Sequence, residues 1–377
     1  MKPISIYIHI PFCKSKCLYC DFPSFANMEK TYDTYVQALV LEITSKACHY
    51  KDLEVQTVFI GGGTPTVLPS DCILEIMEAL KVSYTIASDA EITIESNPGT
   101  IELEKLIDIR KSGINRISMG VQAWQDTLLK KIGRIHTQAE FVEGYHLARQ
   151  AGFDNINLDL MFTLPTQTLE DWEETLENII RLKPEHLSTY SLIIEEGTPF
   201  YNLYNENKIQ LPDEILDREM YYKAKEILKQ NGYIHYEISN FAKPGHESRH
   251  NIVYWKQKEY IGFGLGAHSY TGKTRFHNTY DMDKYLNPTR YDCVEDIEIS
   301  DIYDEYAEYM FLGLRLIEGI FISDFKAKFS QDIYSVYGKE LEECKKRLLL
   351  YENNGHVALT SLGLDVCNGV FEKFLIK

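Results

Sequence analysis

The strongest constraint on this fold is an alternation that runs through the first two-thirds of the chain. Short β-branched and aromatic runs fall at Ile4–Pro11, Val55–Ile60, Glu91–Glu95, Arg116–Val121, Ile156–Met161 and Leu187–Ile194. Between them lie stretches with helical period at Tyr32–Ala47, Asp71–Val82, Leu103–Ser112, Ala139–Gln150 and Leu169–Leu182. Ser112-Gly113 and Ala151-Gly152 supply glycine stops for two of these helices. Strands that alternate with helices predict βαβ units on a mainly parallel sheet. Such a sheet gathers its ligand loops at the carboxyl ends of its strands. The expected architecture is α/β: a partial (β/α)6 TIM-type barrel over residues 1–240, open on one side.

Beyond the alternation, Asp213–Gln230 reads as a helix, Tyr233–Phe241 as extended, and Lys243-Pro244-Gly245-His246 as a turn. Residues 241–298 are expected to connect two units. From about Ile299 the pattern changes to helices at Asp301–Leu316, Ile322–Phe329 and Glu340–Glu352. A strand-like His356–Thr360 and a mixed Leu362–Leu375 follow. This order predicts a small, mostly helical, winged-helix-like domain over 299–377. Winged helices are often DNA readers. Here the charge is mixed, with Glu342, Glu343 and Asp365 working against a phosphate surface, so a lid or protein-contact role is expected.

Three of the eight cysteines form the spacing Cys13-x-x-x-Cys17-x-x-Cys20, directly after the first strand. Thiolates are soft ligands for iron–sulfur clusters, zinc or copper(I). A cubane cluster has four irons, so three thiolates leave one iron open to a small molecule. Zinc would need a fourth closed ligand, for which His9 is the candidate, and buried structural thiols are the plainer alternative. The remaining cysteines, Cys48, Cys72, Cys293, Cys344 and Cys367, are scattered and read as small buried hydrophobes in a reduced compartment. The net charge of −17 argues against a general nucleic-acid partner or an anionic membrane surface. Met1-Lys2-Pro3 leads straight into the first strand without a signal peptide, and no apolar run reaches transmembrane length. A cytoplasmic protein is expected, reaching a membrane only through its partners.

Gly61-Gly62-Gly63-Thr64-Pro65-Thr66 follows the second strand and lets backbone donors approach a ligand. It lacks the Gly-Lys-Ser/Thr ending of a P-loop. Glu95, Gln122 and Asp159 lie in or at the ends of three later strands. A carboxylate inside an apolar strand is costly without a partner, which a ligand or a salt bridge could supply. Arg134 offers a fork for a carboxylate.

With these residues in view, the cysteine spacing, with Tyr19 before the third cysteine, resembles the radical S-adenosylmethionine (SAM) superfamily. Tyr7-Ile8-His9-Ile10-Pro11-Phe12, the Gly-Gly-Gly-Thr-Pro-Thr run, Ser118-Met119-Gly120-Val121-Gln122 and Asp159-Leu160-Met161 narrow it to the group of oxygen-independent coproporphyrinogen oxidases. The resemblance implies a [4Fe-4S] cluster on Cys13, Cys17 and Cys20. It implies SAM contacts from Tyr7, Gly62, Glu95, Gln122, Arg134 and Asp159. It further implies a second SAM against Tyr19, Gly63, Thr64, Ile193 and Tyr270. Thr163 departs from the group, which has glycine before Leu164-Pro165.

Two features point to a branch of that group. The oxidase carries a fourth cysteine two residues after the third, where this chain has Phe22. His250-Asn251-Ile252-Val253-Tyr254-Trp255 matches the H-N-x-x-Y-W motif of the HemW haem chaperones. That resemblance implies haem as a ligand and haem-requiring recipient proteins, such as membrane-bound respiratory enzymes, as partners; a homodimer is compatible with it. His250, Asn251, Tyr254 and Trp255 are the expected haem contacts, through an axial imidazole and aromatic faces. From the residues alone, a histidine and aromatics packed in a core or domain seam is the favoured reading. With no C-x-x-C-H, c-type attachment is not expected. Radical decarboxylation of coproporphyrinogen III is the alternative activity.

Overall fold

The computed structural model describes residues 1–287 and 293–375. Six strands stand side by side and parallel: β1 (Lys2–Ile10), β2 (Leu53–Gly62), β3 (Thr85–Ser96), β4 (Arg116–Gln122), β5 (Ile156–Phe162) and β6 (His186–Ser191). The crossovers carry α1 (Tyr32–Lys46), α2 (Ser70–Ser83), α3 (Leu103–Lys111), α4 (Asp126–Lys131), α5 (Gln138–Gln150) and α6 (Leu169–Leu182). Every residue of β4 is buried, as expected of a central parallel strand covered on both faces. Helices α5 and α6 begin with capping boxes, Thr137 with Glu140 and Thr168 with Asp171. Trp172 in α6 is fully buried and donates from Nε1 to the Met220 carbonyl at 2.9 Å. Five of the expected helices and all six strands are present, with ends shifted by a few residues.

The sheet extends past both edges of this frame. After α7 (Pro199–Asn205) and α8 (Glu214–Gln230), the hairpin β7 (Ile234–Glu237) and β8 (Asn240–Ala242) adds antiparallel to β6. Helix α9 (Arg249–Trp255) leads to β9 (Tyr260–Phe263), which joins β1 in parallel. Strands β10 (His268–Thr271), β11 (Thr274–Asn278) and β12 (Val294–Ile299), with the short α10 (Met282–Tyr285) before β12, then run antiparallel outward. Residues 241–298, read from sequence as a connector, are thus built into the sheet, and the expected boundary at 240 falls inside β8. These strands are four to six residues long with glycine-rich turns, so their periodicity is short. The two outermost strands, β12 and β7, do not pair with each other, and the barrel stays open.

The C-terminal unit runs α11 (Ile302–Gly313), β13 (Ile320–Phe321), α12 (Ile322–Phe329), α13 (Ile333–Lys346), β14 (Leu350–Asn353) and β15 (His356–Leu359). Helix, strand, two helices and a two-stranded wing is winged-helix order. The third helix begins and ends earlier than its sequence pattern indicated. The segment Leu350–Asn353 turns into a strand because Asn354 and Gly355, both at positive φ, fold it back on β15. Met310, Phe325, Tyr337, Leu341, Val357 and Phe374 belong to a core separate from that of the barrel. Main-chain bonds from Ile238 to Arg315 (3.1 Å) and from Ile317 to Tyr236 (3.0 Å) tie the unit to β7.

Candidate cofactor site

The Cys13–Cys20 loop leaves the carboxyl end of β1, and the glycine run leaves the neighbouring end of β2. Two backbone bonds clamp them together: Gly63 N–H to Ile10 (2.9 Å) and Thr64 N–H to Phe12 (2.7 Å). The glycines are required by space. A Cβ on Gly62, at φ +113°, would sit 2.4 Å from the His9 ring, and one on Gly63 would sit 2.5 Å from the Phe12 carbonyl.

A polar chain then links two of the cysteines. Thr64 Oγ1 lies 3.6 Å from Cys13 Sγ and accepts from Asn97 Nδ2 at 2.7 Å. Arg134 donates from Nη1 to Asn97 Oδ1 at 2.9 Å, from Nη2 to the Gly120 carbonyl at 2.6 Å, and sits 3.7 Å from Cys17 Sγ. A Cβ on Gly120 would be 2.4 Å from Arg134 Nη2, so that glycine makes room for the guanidinium. Arg134 Nε is buried without a partner. The arginine is therefore held in position with donor capacity to spare, as an anion site would need.

Across the cleft stand two carboxylates. Glu95 accepts from the Gly62 N–H at 3.0 Å. Burial, then the charge of Asp159, pushes its pKa up to about 7, against the pull of that N–H and of Arg116. Asp159 accepts from Ser118 Oγ (3.0 Å) and Asn157 Nδ2 (2.8 Å). Gln122 holds a left-handed backbone, φ +70°, and accepts from the Tyr190 hydroxyl at 3.1 Å.

Of the sequence-derived candidates, Cys13, Cys17, Cys20, Tyr19, Gly62, Gly63, Thr64, Glu95, Gln122, Arg134 and Asp159 line this one cleft. Asn97, Ser118 and Tyr190 line it too, and the sequence reading passed over them. Asn97 had a signal, since it lies two residues beyond Glu95 at the same strand end. Tyr7 stands behind the wall, its hydroxyl 2.9 Å from His9 Nδ1. Ile193 lies beyond the end of β6, 66 % exposed and outside the lining. Tyr270 is far from it in a different role: its hydroxyl donates to the buried Glu305 carboxylate at 2.7 and 2.9 Å. Thr163 sits at φ +58°, a conformation that favours glycine; its hydroxyl bonds the Phe162 carbonyl and Ser191 Oγ.

The donor set can be tested against the groups it would hold. The three thiols are free, and burial raises the pKa of Cys13 and Cys20. Among the described residues no three His, Cys, Asp or Glu side chains converge on one ion. His9 is also engaged, its Nε2 bonded to the Pro23 carbonyl at 2.9 Å. The three thiols share one loop and the lining of one cleft, a soft donor set that would fit a cluster, and the cradle beside them would suit a small zwitterion.

The HNxxYW segment lies elsewhere, on α9. His250 is 1 % exposed. Thr57 donates to Ser5 Oγ, so His250 Nδ1 donates to Thr57 (2.8 Å) and Nε2 accepts from the Tyr254 hydroxyl (2.8 Å). Burial, with Arg116 nearby, pushes its pKa down to about 3. The imidazole expected to meet haem iron is thus neutral and fully hydrogen-bonded inside the protein. Glu91 accepts from the Arg249 and His250 N–H groups at the same helix start. Asn251 and Tyr254 are half-buried, and Trp255 reaches the seam with the C-terminal unit, under Arg315 at 4.4 Å.

An open parallel barrel with a three-cysteine loop at its carboxyl edge defines a radical SAM protein, and the sequence profile of the radical SAM superfamily matches residues 7–179. The profile of the HemN C-terminal domain matches residues 303–366. The structure is similar to that of coproporphyrinogen III oxidase (HemN) from Escherichia coli, with a TM-score of 0.86 at 24 % identity, over 99 % of this chain and 90 % of that one. In sequence the chain is 37 % identical to the heme chaperone HemW of Lactococcus lactis, covering 100 % of this chain and 98 % of the relative. It is 38 % identical to that of Bacillus subtilis (98 % and 99 %) and 36 % identical to that of E. coli (100 % and 99 %). The chain belongs to the HemW family. Among the described residues no helix is long and apolar enough to cross a membrane.

Proposed function

We propose that this protein is a haem chaperone: it binds haem and passes it to haem-requiring respiratory enzymes, with a [4Fe-4S] cluster and SAM held at the barrel mouth. The observation that carries this reading is the combination at the cysteine loop. The cradle of Gly62, Gly63, Thr64, Asn97 and Arg134 is complete, while the position of the oxidase's fourth cysteine holds Phe22, 60 % exposed on the lip of the cleft. Full-length similarity to heme chaperones agrees with it. Cys13, Cys17 and Cys20 would ligate the cluster, and Arg134 would take the SAM carboxylate. Bound to its cluster, SAM would supply a radical initiator; this chain's residues position it and exclude water.

The test is an anaerobic haem titration of the cluster-loaded protein, followed by absorption. Saturation near about one haem per chain is expected. Absence of saturable binding would remove the chaperone reading. The second reading, coproporphyrinogen oxidation, is favoured by the intact cradle alone; turnover of coproporphyrinogen III with SAM and a reductant would establish it.

Glu95 makes the SAM site pH-dependent. As the free carboxyl titrates near 7, only its ionised form can accept from ligand N–H or O–H groups. Below that pH the protonated fraction competes with binding; above it the site is fully competent. SAM affinity is expected to rise roughly tenfold from pH 6 to pH 8, read by calorimetry on the cluster-loaded protein. A flat profile would show that Glu95 does not accept from the ligand.

A further inference from the structure

The chaperone reading names a cargo but leaves His250 sealed. A second hollow is the groove between the end of α9 and the C-terminal unit, about 660 Å³ in volume. That lies within the ~300–1,000 Å³ of typical small-molecule sites. Its walls are Trp255, Tyr309, Phe321 and His356, and Lys256 and Lys258 stand at its edge. Gly319, also in its lining, lets the backbone pack closely on β15, because a Cβ there would lie 2.1 Å from the Val357 carbonyl.

Two of those walls carry unmet polar atoms. His356 Nδ1 and Trp255 Nε1 are both buried without a hydrogen-bond partner. Buried polar atoms in folded chains are almost always satisfied, so two orphans on residues that line one groove call for an explanation. The His356 ring packs against Phe321, centroids 4.5 Å apart. Three lysines and two carboxylates line it: Lys256, Lys258 and Lys328 with Glu318 and Asp324. Lys256 pairs loosely with Glu318 at 3.5 Å, and Lys328 is held by Gln257; Lys258 is exposed and makes no ion pair among the described residues.

We infer that this groove is the haem site: the apolar macrocycle lies against Trp255, Tyr309 and Phe321, His356 supplies the axial nitrogen, and Lys256 and Lys258 meet the propionates. The inference rests on the chaperone reading and moves its ligand set away from His250. A flat aromatic ring system with two carboxylates and an open axial position matches each feature of the groove. Aromatic faces meet the ring, lysines meet the carboxylates, and a free imidazole meets the metal. The HNxxYW segment keeps a part in this arrangement. His250 and Glu91 anchor the start of α9, and Trp255 at its other end forms a wall.

The test compares haem titrations of cluster-loaded wild type, His356→Ala and Lys256→Glu/Lys258→Glu, with metal-free protoporphyrin IX as a second probe. Circular dichroism and iron content serve as folding controls. His356→Ala is expected to shift the haem spectrum and weaken haem binding by about tenfold or more, and to leave the metal-free porphyrin unaffected. The double lysine variant is expected to weaken both probes and keep the wild-type haem spectrum. If wild type binds saturably and both variants match it in affinity and spectrum, the groove is not the site and the chaperone reading stands. If wild type itself does not bind, the chaperone reading falls and this assignment with it.

Discussion

Cys17→Ala protein is expected to be isolated with its fold intact and its iron at about a tenth of the wild-type content or less. Of the three thiols, Cys17 is the one facing Arg134, at 3.7 Å, and so joins the cysteine loop to the carboxylate fork. With two thiols left, a cluster would have two irons without a protein ligand and SAM would lose its iron, while Arg134 stays held by Asn97 and Gly120. The loop lies beyond the strand ends, and Cys17 contributes to none of the hydrophobic cores. The far-ultraviolet circular dichroism of the metal-free variant should therefore match that of metal-free wild type. Cys72→Ala is the control: Cys72 is buried on α2, with its sulfur 3.7 Å from Asp33, and should leave iron content unchanged. Iron and sulfide analysis after anaerobic reconstitution reads both. Retention of a full iron complement by Cys17→Ala would exclude this loop as the cluster site.

Gly264→Ala is the second large effect, and it acts on the fold. Gly264 ends β9 at φ +99°, and a Cβ there would lie 2.5 Å from the His9 carbonyl and 2.8 Å from the Tyr35 hydroxyl. Those atoms cannot give way, because Tyr35 itself donates to the His9 carbonyl at 2.7 Å and accepts from Leu265 N–H at 3.0 Å. Gly264 further donates to Glu42 (2.9 Å), and its carbonyl accepts from Asn278 (2.8 Å). One residue thus ties β1, α1, β9 and β11. Backbone strain and overpacking together are expected to cost about 3 kcal/mol or more. Urea unfolding followed by tryptophan emission measures it; a loss under about 1 kcal/mol would mean that the β9 edge yields easily. His9 lies four residues before Cys13, so cluster loading should fall as well.

What was legible in the sequence followed the strength of the local signal. The run Arg116–Val121 declared a strand through the alternation of Ile117, Met119 and Val121 with Arg116, Ser118 and Gly120, and the structure buries both of its faces. The cysteine loop was legible through spacing alone, and the glycine run through chemistry, since only glycine fits against His9 and Phe12. Strands β9 to β12 were not read, because four to six residues interrupted by glycines carry no reliable period. The carboxylates Glu95 and Asp159 stood out for a physical reason: a charge in an apolar strand needs a partner, and both line the cleft, where Gly62, Ser118 and Asn157 bond them. His250 could not be resolved from its motif. Whether an imidazole faces a ligand or a threonine depends on the crossing of α9 over β2, which no local pattern encodes. The groove was invisible for a similar reason, because Trp255, Tyr309 and His356 meet only after the C-terminal unit docks on β7.

The separate core of that unit has a consequence for any melting experiment. Two separate cores, joined by the two main-chain bonds at β7 and by side-chain bonds such as Tyr270–Glu305, Lys328–Gln257 and Tyr222–Asp365, are expected to unfold as two coupled units. The chain has three tryptophans, Trp124, Trp172 and Trp255, and all precede the winged-helix unit. Trp124 and Trp172 therefore report the barrel, and only Trp255, under Arg315, reports the seam with the C-terminal unit. Helical circular dichroism follows both. The two signals should diverge on heating, and the gap between their midpoints measures how firmly the docked unit borrows stability from the barrel it rests on.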